Sequence, residues 1–266
     1  KAVLRFRSQA VGNAVGIDFR KVVVHKGVYS RGSFVAPNIR LANQYSQKVI
    51  GKFADRSIWK VEPVERYIAP EDFISQMIER CEGRITWDFK FGKQDIEDLP
   101  FNQPIISTIP MPVLAKMFGE ELPSFKFAPI TVRRWRIVDC DTFQTIYFPD
   151  PHTTLYRASI TGNLLIAEYI GDMSTLSEFD LICEAFGIHQ YKTSQIDEAK
   201  QSYGKISPID EQWRRQFILK MSMQKNIFSV GRFATWRNIL LDDVLGDIST
   251  VKRLISGGIY EHAKAV

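Results

Sequence analysis

Apolar and polar positions recur along this chain with two different periods, and the changes between them outline its elements. Over residues 39–50, Leu41, Tyr45 and Val49 return every fourth position, the spacing of one helix face. The Ala69-Pro70-Glu71-Asp72 step opens a second helix, with Phe73, Met77 and Ile78 predicted to face inward. Residues 2–16 carry apolar positions at mixed helical spacing and end at Gly16, a natural C-cap. Val22-Val23-Val24-His25 and Val28-Tyr29 are β-branched and aromatic, so they read as strand with a turn or bulge at Lys26-Gly27. Ile85-Thr86-Trp87-Asp88-Phe89 alternates as a strand does.

A polar stretch over residues 92–103 leads into a buried strand at 104–109, and a short helix after Pro112 ends at Gly119. Four strand-like runs follow, at 127–135, 142–148, 154–160 and 164–169, and Thr161-Gly162-Asn163 joins the last two as a hairpin. Residues 174–201 read as largely helical, and 209–225 as a basic helix. Ile227-Phe228-Ser229-Val230 is a strand, and a terminal helix runs from about Asp242 to Leu254. Neither an internal repeat nor a low-complexity linker interrupts the chain. Pattern alone supports an α/β or α+β protein with a four-stranded antiparallel patch.

Size adds that 266 residues suffice for one large domain or two intimate ones. No apolar run approaches the roughly 20 residues that span a bilayer, so no membrane partner is expected. Cys81, Cys140 and Cys183 stand far apart, without a Cys-x-x-Cys pair, which suggests neither a zinc cage nor a disulfide framework. A reducing cytoplasm is the simplest home. Charge is unevenly spread: residues 1–60 hold twelve lysines and arginines against Asp18 and Asp55. That basic third faces either a phosphate-bearing ligand or nucleic acid, or simply water.

Candidate chemistry narrows the classes further. His25, His152, His189 and His262 are not paired at metal-ligand spacing, and no metal site is expected. A Gly-x-Ser-x-Gly elbow and a Cys/His nucleophile signature are both missing. Arg133-Arg134-Trp135-Arg136 mixes cations with an aromatic, as nucleic-acid binders do, or else guards a solvated strand edge. Alternation places Arg134 and Arg136 on one face, with Arg133 and Trp135 on the other. Near the C-terminus, Val230-Gly231-Arg232-Phe233-Ala234-Thr235-Trp236-Arg237 precedes the Asp242-Asp243 pair. Gly231 permits close backbone approach, Arg232 and Arg237 suit phosphate oxygens, and a helix N-terminus favours anions. The same residues also describe a plain loop capped by Asp242 or Asp243.

That C-terminal segment resembles the flavin-binding signature of the FAD enzymes that include UDP-galactopyranose mutase and the amine oxidases. Gly231, Arg232, Thr235, Arg237 and Asp243 match it, Trp236 replaces a tyrosine, and one extra residue precedes the aspartates. Tyr203-Gly204-Lys205-Ile206-Ser207-Pro208-Ile209 is similar to the loop that comes before this signature. Residues 104–112 are similar to its strand and Thr-x-Pro passage. The resemblance implies FAD as cofactor, held by Gly231, Arg232, Thr235, Trp236, Arg237, Asp242 and Asp243. It also implies a Rossmann-like FAD-binding domain (residues 1–15, 95–120 and 202–266) with an inserted mixed or antiparallel-sheet substrate domain (16–94 and 121–201).

The family's Gly-x-Gly-x-x-Gly turn is absent from these residues, and Gly12-Asn13-Ala14-Val15-Gly16 is the nearest approach. An opening βαβ unit of about 30 residues is therefore expected to be missing from this sequence. The N-terminal block resembles a subfamily associated with tailed bacteriophages. Lys205, by analogy with the amine-oxidising relatives, Tyr203, and Arg157 on a substrate-domain strand, with Tyr156 and Asn163 beside it, are the catalytic candidates; the alternatives are a solvated loop lysine at 205 and an exposed strand residue at 157. The implied enzyme is an oxidoreductase, amine oxidase, lyase or mutase-like, acting on an amine-bearing, sugar or nucleotide substrate, or on a modified base in DNA. The contrasting expectation is a nucleic-acid-binding protein on a flavoprotein scaffold without redox activity.

Overall fold

The computed structural model describes residues 3–54, 57–100, 103–171 and 176–257. In chain order the elements are β1 (Arg5–Phe6), α1 (Ala10–Val15), β2 (Arg20–Ser30), β3 (Ser33–Phe34), α2 (Ile39–Ile50), β4 (Val64–Ile68), α3 (Phe73–Arg80), α4 (Lys93–Glu97), β5 (Ile105–Ser107), α5 (Met111–Met117), β6 (Phe127–Ile137), β7 (Thr142–Tyr147), β8 (Leu155–Gly162), β9 (Leu164–Ile170), α6 (Leu176–Phe186), β10 (Thr193–Ile206), α7 (Glu211–Lys225), β11 (Ile227–Ser229) and α8 (Leu241–Ser256). This is a mixed α/β protein of two compact units. One contains residues 1–9, 18–70 and 127–205, and the other 10–17, 71–126 and 206–266.

The first unit is built on a sheet in the order β1-β4-β2-β7-β8-β9-β6-β10, with β3 paired to β2. Among β1 to β4 and β6 to β9 the pairings are antiparallel except β2 with β7, where His25 meets Gln144 in parallel register. Both faces of its central strands are covered. Trp135, Ile146, Leu155 and Ala158 pack with Ile182 and Ala185 of α6. Val132, Tyr147 and Tyr156, one step out of phase, pack with Leu41, Tyr45 and Val49 of α2. α2 keeps the predicted limits because both ends are capped. The Asn38 side chain accepts from the Leu41 N–H, and Gly51 turns left-handed to return its N–H to Gln47. The Gly162-Asn163 hairpin also forms as predicted, with Thr161 opposite Leu164.

Three expectations change here. β2 runs unbroken through Lys26-Gly27, because these residues stay in register with Thr145 and Ile146 of β7; the Phe34 ring lies over Gly27 and would meet an added Cβ at 2.8 Å. The span 174–201 is not largely helical: α6 ends at Phe186, and a fourteen-residue strand, β10, begins at Thr193. Nor is the arginine-rich strand an edge. β10 covers β6, and Glu198 and Asp197 pair with Arg133 and Arg134.

The second unit holds a parallel pair, β5 with β11, in register from Ile105–Ile227 to Ser107–Ser229. α7 feeds directly into it: Asp210 caps the Trp213 N–H, and Asn226 closes the helix in the left-handed region. α8 then lays Val251 against Phe228 and Val230. β11 is buried as predicted, though it stops at Ser229, whereas β5 is only three residues long with Ile106 exposed. Residues 85–89 form no strand. No neighbour pairs with them, Asp88 adopts φ 56°, and Trp87 and Phe89 are exposed. In α3, Phe73 is buried but Ile78 faces solvent. Gly16 ends α1 with φ 65° and is its C-cap, not part of a phosphate turn. Among the described residues no helix is long and apolar enough to cross a membrane.

Candidate functional site

Three stretches far apart in sequence meet in the second unit. The Val230 N–H donates to Ser107 O at 2.9 Å, extending the parallel pair by one bond, and the Met111 N–H donates to Phe233 O at 2.9 Å. From the third stretch, Ser207 O accepts from Trp236 Nε1 at 3.0 Å. The loop after β11 is a compact turn. Gly231 takes φ 91°, the Thr235 N–H and hydroxyl both return to Gly231 O, and Arg237 N–H donates to Arg232 O. A Cβ at Gly231 would meet nothing within 4 Å, so the left-handed backbone alone demands glycine there.

The predicted cofactor residues divide by where their side chains go. Arg232 is half-buried, its guanidinium 5.6 Å from the Phe233 ring centre. Trp236, only 2% exposed, turns inward at φ 47° and packs edge-on against Phe125. Arg237 reaches Asp247 of α8 and Thr235 Oγ1. Asp243 folds back to accept from the Leu240 N–H at 2.8 Å, while Asp242 is half-buried on the first turn of α8. A cavity of about 200 Å³ lies beside this loop, lined by Ser207, Pro208, Glu211, Arg214, Trp236 and Arg237. One buried hydroxyl, Ser229 Oγ at the end of β11, has no hydrogen-bond partner among the described residues. Sequence reasoning did not single it out, since serine is unremarkable in a strand.

In the first unit the three catalytic candidates are placed as follows. A β-bulge between Leu155 and Arg157 lets two successive residues reach one acid, which regular alternation forbids. The Tyr156 hydroxyl donates to Glu168 Oε1 at 2.9 Å, and Arg157 grips the same carboxylate through two nitrogens. Lys205 Nζ lies 4.5 Å from the Tyr156 ring centre. Tyr203 packs edge-on against Phe127. Asn163 lies at the hairpin, where its amide oxygen accepts from Arg136.

Electrostatics ties this group together. Burial pushes the Glu168 carboxyl up, but Arg157, Lys205 and the Tyr156 hydroxyl outweigh it, and the net shift is downward. Burial, then Glu168, pushes the Tyr156 hydroxyl far up, so it is a neutral donor at any ordinary pH. Arg5 is brought down to about 10, first by burial and then by repulsion from Arg157. Arg5, Arg157 and Lys205 thus share Glu168, and positive charge is in excess. Arg157 keeps 34% of its side chain exposed, so solvent can still reach the pair. The Glu168 partnership was not foreseen, because it depends on which strand lies beside β8.

Elsewhere several of the basic N-terminal residues are committed. Arg20 pairs with Asp141, Lys21 with Glu65, and Lys48 donates to three backbone carbonyls. Among the described residues no group of histidines, cysteines or acids could hold a metal; His262 lies outside them.

No protein-family model and no curated protein matches the chain. Several solved structures, among them the following three, are similar to it in part. One is a reduced UDP-galactopyranose mutase, at 16% identity and a TM-score of 0.41, covering 60% of this chain and 42% of that one. Another is MibH, a lathipeptide tryptophan 5-halogenase, at 11% identity and 0.43, covering 93% and 56%. The third is a flavin-dependent halogenase from Xanthomonas campestris, at 8% identity and 0.46, covering 99% and 66%. The chain spans under two thirds of each, and likeness of this degree assigns it neither a family nor an activity.

Proposed function

We propose that this chain belongs to an FAD-dependent oxidoreductase whose substrate bears an amine, or is a sugar or nucleotide. The observation that carries the reading is the convergence of Ser107, Ser207 and the 230–237 loop in one unit. These are the segments whose sequences resemble the flavin enzymes, and nothing in their spacing required them to meet. FAD, when bound, supplies an electron-pair acceptor at its N5 atom.

The residues present fit the flavin end of such a cofactor. Ser229 Oγ is an orphaned polar atom at the strand end, and Gly231 presents backbone that no side chain screens. Arg232 would supply charge toward the cofactor. Thr235, Trp236 and Arg237 shape the loop through Gly231 O, Ser207 O and Asp247, while Asp242 and Asp243 set the start of α8. For the substrate, Arg157 and Lys205 offer positive charge suited to a phosphate or carboxylate, and the neutral Tyr156 hydroxyl can donate. Tyr203 would contribute its ring to the same site.

Action on a base in DNA has less to support it, because Arg20, Lys21, Lys48, Arg133 and Arg134 are already engaged. Salt-dependent retention of duplex DNA by flavin-free protein would reverse that preference.

The test is an FAD titration read by absorbance near 450 nm and by quenching of flavin fluorescence. Saturable binding is expected, weakened about tenfold or more in Arg232→Ala, as for loss of a charge-assisted contact. Folded protein that leaves FAD unbound would refute the cofactor. Unchanged affinity in Arg232→Ala would refute that residue's role.

A further inference from the structure

Arg5 carries a half-buried positive charge that no carboxylate answers. It belongs to β1, the outermost strand of the first sheet, yet its Nη1 donates to the Thr145 hydroxyl of β7 at 3.3 Å. That is its one side-chain hydrogen bond among the described residues, and it has no ion pair with them. Nε and Nη2 have no partner but are not sealed from solvent, so a ligand can reach them. Taking a charge out of water without a counter-ion is costly, and a protein seldom keeps one without a use.

The strand registers show what surrounds the Arg5 head group. Thr145 pairs with Lys26 of β2 on one side and with Ser159 of β8 on the other. Tyr147, two residues along β7, pairs with Arg157, and Arg157 with Glu168 of β9. Alternation therefore puts Lys26, Thr145, Ser159, Arg157 and Glu168 on one face of the sheet. Burial first, then repulsion from Arg157, lowers the Arg5 guanidinium, and Arg66 of β4 adds to it. Burial and then Arg66 bring the Lys26 ammonium down as well. Two acids act against this group. Glu168 already accepts from Tyr156 and from two nitrogens of Arg157, and Glu62 is exposed. Arg5, Lys26, Arg66 and Arg157 thus stand against two carboxylates, before Lys205 is counted.

We propose that Arg5 is an anion-binding residue of this face and that the substrate placed there carries a phosphate monoester. A carboxylate would leave one of the two surplus charges unanswered, whereas a phosphate monoester is close to doubly charged at neutral pH. Nε and Nη2 of Arg5 would hold two phosphate oxygens, the Thr145 hydroxyl would donate to a third, and Lys26 and Arg157 would balance the second charge. The inference rests on the substrate site proposed for Arg157 and Lys205, and not on FAD.

Methyl phosphate and dimethyl phosphate are the probes, since they share a shape but carry two charges and one at about pH 8. Calorimetric titration into flavin-free protein at fixed ionic strength should give one saturable site, with methyl phosphate at least about tenfold tighter. Arg5→Gln should weaken methyl phosphate about tenfold or more, and Lys26→Gln about threefold. Lys21→Gln, whose lysine is paired with Glu65 on the other face of β2, should change nothing. Arg5→Gln should also unfold in urea at a midpoint no lower than the parent protein, because it removes an unanswered charge. Methyl phosphate bound through Arg5 by a protein that takes no FAD would uphold the inference while the cofactor reading falls. Binding without saturation, equal affinity for the two esters, or affinity unaltered by Arg5→Gln would overturn it. So would binding that Arg232→Ala abolishes, which would move the phosphate to the arginine loop and leave the FAD reading standing.

Discussion

Trp236 offers a substitution series in which backbone and side chain act in opposite directions. Its ring is buried against Phe125, and its indole N–H holds Ser207 O. Its backbone, however, sits at φ 47°, where a residue with a Cβ is strained by about 1–2 kcal/mol. Removing the ring should cost about 3–5 kcal/mol, as for other buried tryptophans. Trp236→Phe keeps most of the packing but strands Ser207 O, and should cost about 1–3 kcal/mol.

The decisive comparison is Trp236→Gly against Trp236→Ala. Both lack the ring, so the difference isolates the backbone. In regular structure glycine is worse than alanine by roughly 0.5–1 kcal/mol. At a left-handed position the order should invert, glycine being the more stable by about 1 kcal/mol. Urea unfolding followed by circular dichroism reads this as a midpoint shift of about 0.3–1 M, for slopes of about 1–3 kcal/mol/M. Alanine equal to or better than glycine would refute the left-handed turn, and with it the account of how the loop after β11 is held.

Three further outcomes can be measured. Gly204→Ala should destabilise by about 1–3 kcal/mol, because its Cβ would lie 2.4 Å from Ile130 Cγ1; Ile130→Ala in the same chain should recover part of the loss in a urea titration. Burial brings Lys48 down to about 7 against an ordinary value of 10.5, so the unfolded chain binds the extra proton between those limits. Stability should therefore rise as pH climbs from 7 toward 10.5, and urea midpoints for Lys48→Met should lose that slope. Glu168→Gln removes the carboxylate from Arg157 and Tyr156 and should cost about 1–2 kcal/mol by thermal melting, tempered by the solvent that reaches Arg157. Because Glu168 is shifted down, the stability it lends in the parent protein is present above the unfolded carboxylate range. It is lost as pH falls through the folded value.

What could be read without the structure was what neighbours along the chain decide. α2 begins after Asn38 and stops at Gly51 because a side-chain cap and a left-handed glycine act within four residues. The Gly162-Asn163 turn and the start of α7 after Asp210 are local in the same sense. The arginine loop was legible too, since Gly231 and its flanking charges are adjacent in sequence. Tertiary structure decided the rest. Thr193–Ile206 contains Glu, Ala, Lys and Gln, which favour helix in isolation. It becomes a strand because β6, some 60 residues earlier, offers both backbone partners and the arginines that Asp197 and Glu198 need. Residues 85–89 show the converse, alternating in sequence but meeting no neighbouring strand. Likewise Arg157 was visible as a cation, but its bulge, its carboxylate and its Tyr156 companion exist only once β8 pairs with β9. A cap or a turn closes within a few residues, whereas a strand partner or an ion pair is chosen by which distant segment arrives beside it.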